Sequence, residues 1–298
     1  MRSIEKIGFI GLGTMGRAMA GNLIKGGFEV YGFDIDPAAV EALMAAGSGS
    51  APSPREAARA ADLVITMLPN APDVEAVLSG PAGVLAVAAE GRRLMNCSTI
   101  DPAEARGLAA LASGAGWSYI DCPVGRTAAD AAAGTSLFMF GGDESDKQAV
   151  RPVLEAMGNA IVDCGAVGQA STIKIVNNYL SITAAVATAE ALALAAAGDV
   201  PPEAAFRVIN NTIAMNGHTK TNFPKKVLAG DVEPGFSIDL AYKDLGIAMA
   251  AMKREGIPCF LGRSAQVAYE EARRRGQGSR DWSDLYNLLR TLWKERKG

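Results

Sequence analysis

The sequence predicts an α/β fold in which a mostly parallel, doubly wound sheet is followed by an all-helical second domain, the two joined by one long helix. Three observations carry this expectation. Strand-like apolar runs alternate with Ala-rich segments of helical period through the first half. Strand-like alternation stops after Gly168. From Gln169 to about Ala197 the chain reads as a single helix of roughly 29 residues, about 44 Å long at 1.5 Å per residue.

In chain order, strands are expected at Lys6 to Ile10, Glu29 to Phe33, Leu63 to Met67, Leu94 to Cys97, Trp117 to Ile120, Leu137 to Phe140 and Ala160 to Asp163. Helices are expected between them at Met15 to Lys25, Pro37 to Ala46, Asp101 to Ser113 and Ser145 to Met157. Gly26-Gly27, Pro52-Ser53-Pro54 and Gly141-Gly142 punctuate the joints. Residues 1–164 form the first expected domain and 165–298 the second. The long helix should stop at Gly198, and Pro201-Pro202 should open another, running to about Asn211. Further helices are expected at Ile238 to Glu255, Gly262 to Arg275 and Trp282 to Lys294.

Composition narrows the function classes. The 298 residues hold 29 Lys plus Arg against 32 Asp plus Glu, a net charge of −3, with 20% charged and 49% hydrophobic residues. This is a globular composition without an electrostatic footprint for nucleic acid or an anionic membrane. An anionic ligand therefore needs local cations. Four dispersed cysteines and one histidine argue against a zinc site or a disulfide framework, and reduced thiols point to the cytoplasm. The apolar run at Ile7 to Gly13 is too short for a membrane span.

Gly11-Leu12-Gly13-Thr14-Met15-Gly16 fits G-x-G-x-x-G between an expected strand and an expected helix. Gly11 serves the tight turn, Gly13 the approach of backbone to a pyrophosphate, and Gly16 close helix–sheet contact, with the helix N-terminus receiving the phosphate charge. Asp34 follows 23 residues after Gly11, at the end of the second strand. The first domain is therefore expected to be a dinucleotide-binding Rossmann fold. A carboxylate accepts hydrogen bonds from a ribose diol and repels a 2′-phosphate, which favours NAD over NADP. Asp36 is an alternative for this acid, with Asp34 then capping the next helix.

Lys174, Asn177, Asn178 and Ser181 are spaced i, i+3, i+4 and i+7 and share one face of the long helix. The stripe is flanked by apolar residues, contains no acid and ends after two turns, since Ala185, Thr188 and Leu192 continue that face. A solvated helix face is the ordinary explanation of such a stripe. These features favour the lining of a cleft instead. Beside a nicotinamide ring, Lys174 would act as general acid as hydride reaches a carbonyl carbon. A structural lysine bonding backbone carbonyls is the alternative.

These residues, with Met67-Leu68-Pro69, Ser98-Thr99, Asp121-Cys122-Pro123-Val124-Gly125 and Lys174-Ile175-Val176-Asn177-Asn178, resemble the successive motifs of the β-hydroxyacid dehydrogenase family across essentially the whole chain. The resemblance implies a Rossmann domain before a helical domain, NAD or NADP as cofactor, and reduction of short semialdehydes or oxidation of the matching hydroxyacids. It assigns catalysis to Lys174 and Asn178, substrate contact to Ser98 and Gly125, and cofactor contact to Leu68, Thr99 and Lys243. It further implies a homo-dimer or homo-tetramer. One departure stands out, because most members carry Gly-Gly after the substrate-loop Pro-Val where this chain has Gly125-Arg126-Thr127. The sequence is similar to members that act on a sulfonated aldehyde, which implies that Arg126, Asn177 and Ser181 hold the sulfonate. The same chemistry on a carboxylate semialdehyde, and a catalytically silent nucleotide-binding scaffold, are the competing expectations.

Three other features are read as structural. His218 lacks an adjacent acid and is expected at a helix end or on the surface. Arg273-Arg274-Arg275 is expected to be neutralised by Glu270 and Glu271 four residues upstream, and Trp282 to anchor a helix start.

Overall fold

The computed structural model describes residues 3–89 and 91–296. Among them, nine strands form one sheet: β1 (Lys6–Ile10), β2 (Glu29–Phe33), β3 (Gly49–Ser50), β4 (Leu63–Thr66), β5 (Arg93–Asn96), β6 (Ser118–Asp121), β7 (Val124–Gly125), β8 (Ser136–Gly141) and β9 (Gly158–Gly165). The order β3-β2-β1-β4-β5-β6 is parallel throughout and reverses direction of travel between β1 and β4. Ligands of such sheets bind outside the strand ends at this switch point. β8 runs antiparallel to β6 and β7, and β9 is parallel to β8. The expected doubly wound α/β architecture is thus present, and the seven expected strands are all found. The pairs β3 and β7 were not expected, since two residues carry no readable alternation.

The helices of the first half are α1 (Thr14–Lys25), α2 (Pro37–Met44), α3 (Pro54–Ala60), α4 (Ala71–Leu78), α5 (Pro102–Gly114), α6 (Ala128–Ala132) and α7 (Glu144–Met157). The short α3, α4 and α6 begin at caps supplied by Ser53, Asn70 and Thr127. Strand alternation explains why both sheet faces are covered. Ile7, Phe9, Ile65 and Met95 enter one core with Met19, Leu23 and Leu154, whereas Ile10, Val64 and Leu94 enter the other with Ala57, Val74 and Leu108.

The second half comprises α8 (Gln169–Ala197), α9 (Pro202–Ile209), a π turn at His218–Asn222 leading into α10 (Phe223–Lys225), α11 (Ile238–Arg254), α12 (Leu261–Arg274) and α13 (Leu285–Glu295). Its core joins Ile182, Val186, Ala189 and Leu192 of α8 to Phe206, Phe223, Ile238, Leu245, Tyr269 and Leu285. Helix α8 has the length and hydropathy of a membrane span. Of its apolar residues, Ile182, Val186, Ala189 and Leu192 are buried in this helical core, whereas Ile173, Val176, Leu180 and Leu194 are exposed. The chain divides into two compact units, Met1–Lys174 and Ile175–Gly298, with the division inside α8.

Candidate active site

The glycine-rich turn follows directly from β1. Gly11 has φ +96°, and a Cβ there would lie 2.3 Å from the carbonyl oxygen of Met67. A Cβ at Gly16 would lie 1.9 Å from the carbonyl oxygen of Gly11, so a side chain would separate α1 from the turn. Gly13 differs, because a Cβ there would meet nothing within 4 Å. It faces open space, where backbone is available to an incoming group. Helix α1 starts at Thr14 with no side-chain cap and no acid in its first turn, leaving its first N–H groups for an anion. Thr14 is exposed and Met15 half-buried at this end.

Asp34, just past β2, accepts hydrogen bonds from the N–H of Leu12 (2.6 Å) and of Asp36 (2.9 Å). Asp36 itself accepts from the N–H of Ala38 and caps α2. Of the two acids considered, Asp34 therefore stands against the glycine turn and Asp36 does the capping. An anion-ready helix end, an open glycine and a carboxylate beside them fit a dinucleotide. Next to the turn, the Leu68 N–H donates to Ser98 Oγ (2.9 Å), and the Ser98 N–H donates to Asn96 Oδ1 (3.1 Å). Ser98 is fully buried and braces the segment carrying Leu68, while Thr99 beside it is half-buried.

The start of α8 is clamped by the end of β6. Fully buried Asp121 accepts from Gly168 N–H (2.9 Å), Ser171 N–H (2.9 Å) and Ser171 Oγ (2.6 Å). Burial pushes the Asp121 carboxyl up, opposed by the Ser171 and Gly168 bonds. One turn later, the Lys174 Nζ donates to the carbonyl oxygen of Val124 at 2.7 Å, and the lysine is 8% exposed. The carbonyl contact foreseen for a structural lysine is present. It uses one of the three ammonium hydrogens and orients the group.

In the helical unit, the Asn178 Nδ2 donates to Asp244 Oδ2 (2.7 Å), and the Lys243 Nζ pairs with Asp244 Oδ1 at 2.9 Å. Asn177 Nδ2 donates to Asn178 Oδ1 (3.2 Å). Asp244, 3% exposed, thus links the expected catalytic amide to the expected cofactor lysine. Sequence reasoning missed it, although it adjoins Lys243. The Ser181 carbonyl oxygen accepts from His218 Nε2 (2.8 Å), and Ser181 Oγ lies 3.4 Å from that nitrogen.

His218 does sit at the start of a helical turn, but the expected surface position is corrected: it is 4% exposed, between Phe223 and Trp282 in edge-on ring contacts. Its burial, not its sequence neighbours, sets its behaviour and pushes its pKa down. Trp282 anchors a helical start, capped by Asp281, as expected. The arginine run is neutralised partly as expected, through Glu271 four residues upstream of Arg275, but Arg274 pairs with Glu271 in place of Glu270. Arg274 and Arg275 share Glu271, Arg275 also pairs with Glu295, and Arg273 pairs with Asp239 and stacks on Tyr242.

Arg126 lies just past buried Gly125 at the end of β7, with φ +72°, a left-handed conformation costly for any residue with a Cβ. Its exposed guanidinium donates from Nη1 to the Thr135 carbonyl oxygen and, at 2.6 Å, to Asn159 Oδ1. The Asp130 carboxyl, held below the usual carboxylate range mainly by its Thr127 bond, is also lowered by the charge of Arg126.

The two halves match two family descriptions. Residues 6–168 match the NAD binding domain of 6-phosphogluconate dehydrogenase, and residues 168–289 match the NAD-binding domain of NADP-dependent 3-hydroxyisobutyrate dehydrogenase. The chain is 40% identical over 284 residues to 3-sulfolactaldehyde reductase of Escherichia coli, covering 95% of each. It is 35% identical over 298 residues to 2-(hydroxymethyl)glutarate dehydrogenase of Eubacterium barkeri, covering 100% of this chain and 98% of the relative. The solved 3-hydroxyisobutyrate dehydrogenase of Mycobacterium tuberculosis with L-serine is 36% identical, with a TM-score of 0.88 over 96% of this chain and 99% of that one. The chain belongs to the β-hydroxyacid dehydrogenase family. Within that family it is an NAD-binding oxidoreductase.

Proposed function

We propose that this chain is an NADH-dependent reductase that converts 3-sulfolactaldehyde into 2,3-dihydroxypropane-1-sulfonate. The observation that carries the substrate reading is Arg126, a cation kept at a strained backbone position whose hydrogen bonds go to the neutral oxygens of Thr135 and Asn159. A sulfonate presents three oxygens in a pyramid and stays ionised at physiological pH, so donors from Arg126, Asn177 and Ser181 suit it. Each charge-assisted bond contributes about 1.5–3 kcal/mol, roughly ten- to a hundredfold in affinity. The 40% identity to an enzyme named for this substrate supports the same reading.

Bound NADH supplies the hydride. Gly11, Leu12, Gly13, Thr14, Met15 and Gly16 hold its pyrophosphate, Asp34 its ribose diol, and Leu68, Thr99 and Lys243 its remaining surface. Lys174 donates a proton to the aldehyde oxygen as negative charge develops there, and Asn178 orients that oxygen, with Ser98 and Gly125 shaping the substrate loop. In the reverse direction, neutral Lys174 takes the alcohol proton. In this reading, residues 1–164 serve the cofactor and 165–298 serve the substrate and self-association. Four free cysteines suit a reducing cytoplasm, and exposed apolar residues such as Ile213, Phe260 and Val267 suit a homo-dimer or homo-tetramer.

The test is kcat/KM with NADH for 3-sulfolactaldehyde beside tartronate, succinate and methylmalonate semialdehydes. A preference of at least tenfold for the sulfonate is expected. A carboxylate semialdehyde ahead by tenfold would instead assign Arg126 to a carboxylate.

A further inference from the structure

The residue that aims Arg126 is not in any motif. Strands β7, β8 and β9 lie side by side, with Gly125 opposite Leu137 and Leu137 opposite Ala160. The preceding pair is Ser136 with Gly158, so the β8–β9 register skips Asn159. Asn159 is the extra residue of a bulge, and bulges re-aim a side chain out of the ladder. Here the re-aimed amide oxygen lies 2.6 Å from Arg126 Nη1, whose second hydrogen goes to the carbonyl oxygen of Thr135.

We propose that Asn159 is a positioning residue for the substrate's anionic group: with Thr135 it occupies both hydrogens of Arg126 Nη1 and presents the Nε–Nη2 edge to an oxyanion. This inference rests on the reading of Arg126 as the anion anchor. The geometry of the guanidinium supports it. Its five hydrogens lie in one plane, and once Nη1 is committed the parallel Nε–H and Nη2–H remain as a two-pronged fork. The choice of acceptors supports it as well. A carboxylate in place of the Asn159 amide would hold the same nitrogen more tightly but cancel the charge that the ligand needs. Two neutral oxygens fix the direction and leave the charge intact. Asp130, the acid of the adjoining helix, makes its hydrogen bonds to the Thr127 hydroxyl and N–H and the Thr135 hydroxyl, and the charge of Arg126 acts on it as a smaller contribution beside the Thr127 bond.

The experiment is steady-state kinetics of the full chain with NADH and either 3-sulfolactaldehyde or tartronate semialdehyde. Asn159→Ala is expected to raise KM for the aldehyde five- to thirtyfold while kcat changes less than twofold. Asn159→Asp keeps the acceptor and adds a negative charge, and should raise KM at least as far; being isosteric, it also serves if Asn159→Ala misfolds. In an Arg126→Met background neither substitution should move KM further, which a merely structural role for Asn159 would not produce. KM within twofold of wild type for Asn159→Ala, or an equal rise in the Arg126→Met background, would overturn the proposal. An Arg126→Met variant with unchanged KM would instead remove the anion-anchor reading itself.

Discussion

Asp121, at the end of β6, accepts hydrogen bonds from both the hydroxyl and the backbone N–H of Ser171, at 2.6 and 2.9 Å. With the Gly168 N–H it ties the start of α8 to the sheet, and so sets where Lys174 emerges one turn later. Asp121→Ala leaves these donors buried without a partner, a loss of roughly 2–4 kcal/mol. Urea unfolding followed by fluorescence should show the midpoint fall accordingly. An unchanged midpoint would mean that the helix start is held by packing alone.

Lys174 is expected to carry proton transfer. Lys174→Ala should lower kcat by about two to four orders of magnitude, with the NADH dissociation constant, read by fluorescence titration, within about threefold of wild type. Full activity in this variant would assign Lys174 a structural role.

Asp244 should act through its two partners. Asp244→Ala removes a partner of both the Asn178 amide and Lys243, and is expected to lower kcat about tenfold or more and to raise KM for NADH. A kcat equal to wild type would show that Asn178 holds its orientation without the carboxylate.

Asp34 should set cofactor preference. Two unit charges about 4 Å apart repel by roughly 4 kcal/mol at an effective dielectric near 20, so NADH should exceed NADPH by at least about tenfold in kcat/KM. Asp34→Ala should narrow that ratio and weaken NADH, because the Leu12 N–H loses its acceptor as well. Equal use of both cofactors by the wild type would contradict this role.

His218 should make the helical unit sensitive to acid. Burial holds its pKa below the ordinary 6.5, with bonds to Ser181 and Asn222 and the field of Asp281 opposing. Between that depressed value and 6.5 the unfolded chain binds more protons than the folded one, so stability is full above 6.5 and declines as the pH falls through the window. Thermal melts between pH 7.5 and 5 should show this decline, and His218→Gln should flatten it. An equal slope in the variant would place the titrating group elsewhere.

Much of this was legible beforehand where the signal is local. Strands β1 and β2 and helix α8 begin and end as read from the sequence, because apolar alternation, an acid or glycine stop and an uninterrupted Ala-rich run are all short-range properties. The glycine turn was legible for the same reason. Short β3 and β7, the antiparallel pairing of β8 and the bulge at Asn159 were not, since pairing partners rather than their own residues define them. Of the two expectations for His218, the helix end holds and the surface does not, because its burial comes from Phe223 and Trp282, the latter 64 positions away.

By itself, the order of residues determined the α/β class, the dinucleotide turn and the spacing of Lys174, Asn177, Asn178 and Ser181 along one helix. Those are consequences of backbone period and of glycine's missing side chain, which need no distant contact. The tertiary structure decided which groups meet: Lys174 with the Val124 carbonyl, Asn178 with Asp244, and Arg126 with Asn159. Hydrogen bonds act over about 3 Å of space regardless of separation along the chain, so only the folded sheet and helical core could bring those partners into range.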